Sequence, residues 1–539
     1  MKKIITILVG VVAFAGMTAG QTLPEAKKMI EHGRYHTAQS ALHKIVQADP
    51  LNAVSWYQLT QAYLGSHELR NIKDSLLLAP EPVKQNAWYK VAYGHLLLAE
   101  GAMIEQAAVY FDQAIGTKRK KDVGILLAVA NAYISDQQGD VTRALHVLDM
   151  AGKKDKRRAD LNIMRGNAYR RLSNGNEAYK AYQAALNEDA NQPEALYQLG
   201  KIFLTQQNSD AYVSYFKKAV AADPLFAPAW YELYYHSYYR EPEQALAYFR
   251  NYLATSDASM ENNYQLIDLL YINQRYDSAI VLAQDVLSGT SSGTEMPRLQ
   301  KLMAYSYAAL HDTANALSMM RSYFNHAQDS NLVVKDYDLM ANLYSATAGK
   351  EDSALVYYMA VVDKTTDSSA LFTYYKKLAD LYKELKDPSK EALWLGRFYT
   401  NNPSASNVDL FNWGIVHYKA QEYEQADTVF GRYTEKYPDQ TYGYYWRARA
   451  NAHKDSAMEK GLAVSHYEKL VDVLTADTAS ATNKKWLVEA YGYLAAYQTN
   501  EKQDYEQALD YLNDILELDP ANQDAKQYIA ILEKKLDEE

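Results

Sequence analysis

The sequence predicts an all-α protein built from a tandem array of helical hairpins. The clearest evidence is a repeat, in which Gly166 and Tyr182 recur 34 residues later as Gly200 and Phe216. Within each copy the apolar and small residues are three or four positions apart, which places them on one face of a helix. Because a single hairpin cannot bury its apolar face, the repeat predicts a stack of neighbouring hairpins.

The same pattern continues along most of the chain. Trp56, Leu59 and Tyr63 show its opening, and Ala426 and Phe430 show its second helix. These positions resemble the tetratricopeptide repeat, in which a hairpin of about 34 residues carries aromatic, small and alanine residues at fixed places. The resemblance implies a right-handed superhelical solenoid. Residues 22–520 leave room for about fourteen repeats.

The order of segments follows from breaks in this pattern. A Gly-Thr-Ser-Ser-Gly run at residues 289–293 predicts a flexible connection. After Pro520 the apolar residues keep helical spacing with charged residues around them, which is typical of a helix that closes an array. The expected segments are a signal peptide at 1–20, repeat arrays at 21–288 and 297–520, a connection at 289–296 and a capping helix at 521–539.

The first twenty residues have the build of a bacterial secretory signal. Lys2 and Lys3 precede a run at 4–16 that is apolar except for Thr6, and small residues lead to Gln21. We expect cleavage after Gly20 and an exported protein, in the periplasm or associated with the outer membrane, with secretion as the alternative. Nothing later is apolar enough to cross a bilayer, so membrane association is expected only through a partner. With no cysteine, the chain cannot form disulfides.

Composition and motifs argue against several classes of function. The net charge of −10 disfavours general nucleic-acid binding, which needs a broad basic surface. The twelve histidines show no zinc-binding spacing, and neither a phosphate-binding loop nor a Gly-x-Ser-x-Gly nucleophile motif is present. We therefore expect a protein that is not an enzyme, without catalytic residues, metal or cofactor.

Tyrosine is unusually abundant, with 48 residues against 11 phenylalanines. Core packing explains many of them, but the surplus indicates recognition, because tyrosine offers a large contact area with few rotatable bonds. The resemblance implies that the first helix of each hairpin lines a concave face. The tyrosines predicted to bind a partner there are Tyr231, Tyr235, Tyr238 and Tyr239, with Tyr442 and Tyr445 in a later repeat and Tyr89 and Tyr93 in an earlier one.

Asparagine follows the small residue of the first helix in three repeats, as Asn131, Asn167 and Asn342. Peptide-binding members of the resembled family hold a ligand backbone with such amides, which donate and accept at once. Three instances do not make a continuous ladder, and a solvated amide is the alternative interpretation.

Basic residues are concentrated at residues 117–171, which contain thirteen Lys or Arg and six Asp or Glu. Two clusters lie about one repeat apart and are expected on the same edge of the array, where they predict an anion-binding edge. Solvated loops are the alternative interpretation. The clusters consist of Lys118, Arg119, Lys120 and Lys121, and of Lys153, Lys154, Lys156, Arg157 and Arg158.

The pattern as a whole favours a non-catalytic scaffold of the bacterial cell envelope that binds a protein or peptide partner, for example in an envelope assembly. A glycan-binding or peptidoglycan-associated module is the first alternative, because aromatic side chains also stack on sugar rings. An accessory subunit of an enzyme or secretion complex is the second. Repeat architecture predicts shape and does not identify the ligand.

Overall fold

A computed structural model describes residues 22–101, 103–116, 122–289, 296–476 and 480–538. Within these ranges the protein is all-α, without a strand. The chain divides into two compact units, residues 1–294 (unit 1) and 295–539 (unit 2). The predicted signal peptide, the basic run at 118–121 and most of the predicted connection lie outside the described residues. The predicted segment boundaries and the handedness of the array stay predictions.

Unit 1 contains eight hairpins in its described part. The second hairpin is interrupted near Pro80, where a short extra helix follows α4. Its helices are α1 Leu23–Glu31, α2 Tyr35–Ala48, α3 Ala53–Gly65, α4 Leu69–Leu77, α5 Glu81–Lys84, α6 Ala87–Glu100, α7 Ile104–Ile115, α8 Val123–Ser135, α9 Val141–Gly152, α10 Ala159–Arg171, α11 Gly175–Glu188, α12 Pro193–Thr205, α13 Ser209–Ala222, α14 Ala227–Ser237, α15 Pro242–Thr255, α16 Met260–Ile272 and α17 Tyr276–Ser288.

Unit 2 contains six further hairpins in its described part and ends with a single helix. Its helices are α18 Pro297–Ala309, α19 Thr313–His326, α20 Val334–Ser345, α21 Glu351–Lys364, α22 Ser368–Glu384, α23 Pro388–Asn401, α24 Asn407–Lys419, α25 Tyr423–Lys436, α26 Thr441–Lys454, α27 Val464–Leu474, α28 Ala481–Tyr497, α29 Tyr505–Leu518 and α30 Gln523–Glu538, with a 3₁₀ turn at Asp329–Asn331 and a π turn at Gln498–Lys502. The fourteen hairpins described in the two units agree with the number expected from the repeat length.

The turn inside each hairpin uses the same local chemistry in successive repeats. Ser173 and Gln207 have positive φ values of 56° and 57°, which reverse the chain after the first helix. Asn174 then accepts a hydrogen bond from the backbone N–H of Glu177 at 3.2 Å. An asparagine in this position satisfies one of the unpaired N–H groups at the start of the second helix.

Within a hairpin the two helices meet where the first carries glycine and the second an aromatic ring. A Cβ atom added to Gly200 would lie 2.5 Å from the ring of Phe216, and one added to Gly414 would lie 2.7 Å from Phe430. Both rings are fully buried. The glycine is therefore required for the close approach that buries the ring.

In unit 1 the first hairpin also contacts much later repeats. The Asp223 carboxylate lies 3.1 Å from His32 Nε2 and 3.0 Å from Lys28 Nζ. At the start of α2, the Asp257 carboxylate accepts from the backbone N–H of His36 at 2.8 Å, which caps this helix from the α15–α16 connection. Unit 1 is thus held by polar contacts between its first and later hairpins.

Candidate functional site

Neighbouring first helices in unit 1 are joined by a ladder of polar side-chain contacts. Each contact runs from a donor on one first helix, or in the turn just after it, to an acceptor on the first helix of the next hairpin. Hydrogen bonds of this kind stabilise the stacking of neighbouring hairpins. The pairs in unit 1 are Asn167 with Glu194 (3.1 Å), Arg170 with Gln198, Lys201 with Glu232 (2.7 Å) and Tyr238 with Asp268.

Tyr235 occupies the position that carries a ladder residue in the two preceding repeats. Asn167, Lys201 and Tyr235 are spaced by 34 residues. Asn167 and Lys201 are bonded to the next hairpin, whereas Tyr235 is 70% exposed and has no hydrogen bond or ring contact within the described residues. Tyr239, four residues later, is 90% exposed. We call Tyr235 and Tyr239 the tyrosine surface.

Tyr239 of the tyrosine surface packs on a cluster of rings. The ring centroids of Tyr239 and Tyr238 are 4.6 Å apart, and those of Tyr238 and Tyr234 are 5.8 Å apart. Tyr234 is buried and lies 4.6 Å from Phe249. Tyr231 also belongs to this cluster, 5.5 Å from Tyr234. The four tyrosines predicted here therefore divide into two exposed side chains, Tyr235 and Tyr239, and two that belong to the ring cluster, Tyr231 and Tyr238.

The Tyr238 hydroxyl donates to Asp268 on α16, and burial together with this carboxylate raises the pKa of Tyr238. The phenol therefore stays protonated at neutral pH and keeps its hydrogen bond. Tyr238 is fixed by the ladder, which gives its neighbour Tyr239 a rigid base.

Asn131 takes part in an internal polar chain rather than facing an open groove. Its amide donates to Gln61 Oε1 at 3.2 Å, and Gln61 Nε2 lies 3.2 Å from His95 Nδ1. Burial lowers the pKa of His95 to about 4, so the ring is neutral near pH 7. The Nε2 atom of His95 lies 3.2 Å from Ser135 Oγ. The chain joins α3, α6 and α8.

Asn167 and Asn342 each accept a hydrogen bond from a tyrosine on the second helix of their own hairpin. Tyr182 donates to Asn167 Oδ1 at 2.6 Å, and Tyr358 donates to Asn342 Oδ1 at 2.7 Å. Lys377 also donates to Asn342, at 2.9 Å. These amides satisfy buried or half-buried tyrosine hydroxyls. In the structure they join the two helices of a hairpin. Their role in holding a peptide stays a prediction.

The two tyrosines predicted in unit 2 differ in exposure. Tyr442 is 49% exposed and lies 5.3 Å from the Trp486 ring. Tyr445 is 6% exposed, stacks on Trp486 at 4.3 Å and donates to Glu489 at 2.9 Å. Burial and the Glu489 carboxylate raise the pKa of Tyr445 to about 12. Tyr445 belongs to the core of unit 2 and offers almost no surface to a partner.

Of the earlier pair in unit 1, Tyr89 belongs to the core and Tyr93 is half-buried against it. Tyr89 is buried and donates to the carbonyl of Leu76 at 3.0 Å, and its ring stacks on Tyr93. The interpretation of Tyr89 as a recognition residue is wrong, because its hydroxyl holds the end of α4 instead.

The second predicted basic cluster lies within the described residues, and its members differ in pairing and exposure. The Arg158 guanidinium pairs with Asp160, with Nε 3.0 Å and Nη2 2.6 Å from the two carboxylate oxygens. Lys153 and Lys156 line a cleft between α9 and α10. Lys154 and Arg157 are exposed. Lys118, Arg119, Lys120 and Lys121 lie outside the described residues, and the anion-binding edge as a whole stays a prediction.

No cluster of His, Asp and Glu suited to a metal ion occurs in the part of the chain that the structure describes. The buried carboxylate of Asp336 has a structural role. Asp336 is fully buried, accepts from Lys301 and Tyr305, and caps the start of α20 through the backbone N–H of Val333 at 3.0 Å. Among the described helices, none combines the length and apolarity needed to span a bilayer.

Family comparison agrees with this geometry. Two models of the tetratricopeptide repeat match the sequence, one at residues 163–233 and one at residues 410–439. The chain is a tetratricopeptide repeat protein. Such repeats typically form non-catalytic scaffolds for protein–protein interaction. No curated protein matches this repeat protein significantly.

Solved structures of three bacterial proteins are similar to it over about half of its length. The C-terminal part of a repeat protein from Cytophaga hutchinsonii is 25% identical, covering 49% of this chain and 99% of that chain with a TM-score of 0.29. A repeat protein from Parabacteroides merdae is 15% identical, covering 47% and 96% with a TM-score of 0.28. PilF of Pseudomonas aeruginosa is 18% identical, covering 42% and 97% with a TM-score of 0.30. Similarities of this size identify neither a partner nor a ligand.

Proposed function

We propose that this tetratricopeptide repeat protein is a non-catalytic scaffold that binds a protein partner through the tyrosine surface of unit 1. The observation that carries the proposal is the contrast at one repeat position. Asn167 and Lys201 form hydrogen bonds to the next hairpin, whereas Tyr235 is exposed. Exposed aromatic side chains on a rigid base are typical of interaction hot spots.

A protein is the partner that suits this surface best. Tyr235 and Tyr239 offer apolar ring faces with a hydroxyl at each tip, and Tyr239 packs on the ring of Tyr238, which packs on Tyr234. A tyrosine side chain has few rotatable bonds and loses little conformational entropy when it is covered by another protein. Stacking on a sugar ring is the alternative chemistry, and the experiment below distinguishes it.

The proposed test is capture of partners from bacterial envelope extracts with the full-length mature chain as bait. The double variant Tyr235→Ala/Tyr239→Ala is expected to lose at least about tenfold of the captured partner, because loss of one aromatic anchor costs on the order of 2 kcal/mol at a hot spot. The control is Tyr528→Ala, which removes an exposed tyrosine of α30 in unit 2 and is expected to capture normally.

A second arm treats the extract with protease before capture. A protein partner is lost on this treatment, whereas a glycan ligand survives it. Equal capture by the double variant and the unchanged protein, or capture that survives protease treatment, contradicts the proposal.

We also propose that the scaffold works in the bacterial cell envelope, as part of a larger assembly there. The support is the charged, apolar and small-residue order of residues 1–20. N-terminal sequencing of the protein from cells is expected to begin at Gln21, and fractionation is expected to place it with the envelope. A chain that retains Met1 in the cytosolic fraction contradicts this location.

A further inference from the structure

A cleft between α9 and α10 concentrates positive charge on the surface of unit 1. Its volume is about 400 Å³, and its lining includes Lys153, Lys156, Arg165 and His146. Asp149 is the one acidic side chain among the residues that line it. Sequence reasoning identified Lys153 and Lys156 from their charge run, but it missed Arg165 and His146, which stand alone in the sequence.

The guanidinium of Arg165 is held in this cleft by two features. Its Nη2 atom donates to Asp149 Oδ1 at 2.8 Å. Beneath it, Gly152 has no side chain, and a Cβ atom there would lie 3.1 Å from the same Nη2 atom. Asp149 therefore orients Arg165, and Gly152 leaves the space that the guanidinium occupies.

The cleft carries an uncompensated positive charge. Lys153 and Lys156 are exposed and form no ion pair with any described residue, whereas Arg165 is paired with Asp149. The three cationic side chains and one carboxylate leave a surplus of about two charges, and His146 adds a further ring N–H donor. Like charges gathered in one cleft repel each other, and a bound anion relieves this repulsion.

A similar arrangement in unit 2 is neutralised by its own residues. A Cβ atom at Gly431 would lie 3.3 Å from the Arg447 guanidinium, which pairs with Asp427 at 2.9 Å. There the additional lysine, Lys454, is paired with Asp427 at 3.4 Å and with Glu424 at 2.7 Å. Two cationic side chains meet two carboxylates, so that arrangement has no surplus. The packing of an arginine against a glycine therefore occurs in unit 2 together with a paired lysine. The unpaired lysines distinguish the α9–α10 cleft from it.

We propose that the α9–α10 cleft binds a phosphate group. A phosphate monoester carries about −1.5 to −2 charges near pH 7 and three strong acceptor oxygens, which match two free lysines and an oriented guanidinium. A single carboxylate would neutralise only half of the surplus. The phosphate belongs either to a soluble phosphate compound or to a lipid headgroup, and this site is independent of the tyrosine surface.

The test is titration of the full-length mature chain with inorganic phosphate by calorimetry at low ionic strength. Lys153→Glu/Lys156→Glu is expected to weaken phosphate binding at least about tenfold. Both side chains are exposed, so circular dichroism is expected to show unchanged helix content. The matched control is Lys217→Glu/Lys218→Glu, in a cleft along α13 that is lined by two lysines and His236 but by no arginine. This control is expected to bind phosphate within about twofold of the unchanged protein.

Two further variants test the positioning of the guanidinium. Arg165→Lys keeps the charge but removes the planar fork, and Gly152→Ala keeps every charge but places a methyl group against Arg165. Each is expected to weaken phosphate binding by about threefold or more without loss of helix content. If neither changes binding, or if the lysine reversal and its control behave alike, the proposal is wrong.

Vesicle sedimentation distinguishes the two sources of phosphate. Binding to phosphatidic acid vesicles but not to phosphatidylcholine vesicles, lost in Lys153→Glu/Lys156→Glu, assigns the site to a lipid headgroup. Binding of inorganic phosphate without vesicle binding assigns it to a soluble phosphate compound. Absence of binding to both probes at millimolar phosphate overturns the proposal.

Discussion

Helices α14 and α26 are both first helices of tyrosine-rich hairpins, yet their tyrosines differ in exposure in the structure. On and just after α14, Tyr235 and Tyr239 are exposed, at 70% and 90%. On α26, Tyr445 is covered by Trp486 and held by Glu489, both from α28. The difference does not lie in the tyrosines themselves. It depends on whether the next hairpin supplies a ring and a polar partner at the right place.

This contrast shows how tyrosines of first helices serve either stability or binding. Where the following hairpin covers the side chain, the tyrosine joins neighbouring repeats, and in a solenoid such nearest-neighbour contacts supply much of the stability. Where it is not covered, the ring is available to another molecule. Substitution of covered and of exposed tyrosines therefore separates the two roles.

Replacement of Tyr445 by alanine is expected to destabilise unit 2 by about 3–5 kcal/mol, because a buried ring stacked on Trp486 is lost and a cavity remains. Thermal unfolding of the full chain followed by circular dichroism measures the effect. Tyr445→Phe keeps the ring and removes the hydroxyl, which donates to Glu489 and accepts from Arg449, and it is expected to cost about 1–2 kcal/mol. Equal unfolding curves for Tyr445→Ala and the unchanged protein would place this side chain outside the core.

The raised pKa of Tyr445 predicts a specific loss of stability at high pH. Because its pKa in the folded protein is about 12, above the ordinary value near 10, the contribution of the neutral phenol is fully present below about pH 10. It is lost as the pH rises from about 10 to about 12. The advantage of the unchanged protein over Tyr445→Phe is therefore expected to shrink over this range in denaturant unfolding. A constant difference would show that the phenol is not desolvated.

Tyr238→Phe is expected to have an intermediate effect, because it removes the hydrogen bond to the Asp268 carboxylate while the ring contacts remain. The expected loss is about 1–2 kcal/mol in the free energy of unfolding. The matched control is Tyr231→Phe in the same ring cluster, whose hydroxyl has no hydrogen bond within the described residues and which is expected to change stability by less than about 0.5 kcal/mol. Equal losses of unfolding free energy in the two variants would show that the hydrogen bond from Tyr238 to Asp268 does not stabilise the stacking of the hairpins.

Tyr235→Ala/Tyr239→Ala is expected to have the smallest effect on stability, within about 0.5 kcal/mol, because both rings are mostly exposed. The melting temperature of the double variant measures this. A loss of several kcal/mol would mean that the tyrosine surface is a packing element, and the contrast between α14 and α26 would disappear.

The helical array was predictable because its signals are local and periodic. The 34-residue spacing of Gly166 and Gly200 requires one hairpin per period. The interruption of the second hairpin was also predictable, because Pro80 and Pro82 prevent a regular helix there. Contacts between distant repeats were not. Nothing in the local pattern indicates that Asp257 caps α2, more than 200 residues earlier in the chain.

The candidate site was predictable only in part. The pairing of Asn167 with Tyr182 and of Asn342 with Tyr358 had a usable signal, since each amide precedes its tyrosine by 15 or 16 residues. The burial of Tyr445 had none, because it depends on the packing of α28 against α26, and Trp486 lies beyond one repeat length. The position of Tyr238, just after α14, likewise depends on Asp268 in the next hairpin. Exposure is a property of neighbouring repeats, and a single repeat does not encode it.

The most direct test of the tyrosine surface is site-specific photo-crosslinking in living cells. A benzoylphenylalanine is placed at Tyr235, at Tyr239 or, as the control, at Tyr528, which is also exposed. Mass spectrometry is expected to find one and the same protein attached at positions 235 and 239, and not at 528. If no protein is attached at 235 and 239, or if the same protein is attached equally at 528, the tyrosine surface is not the binding site of the scaffold.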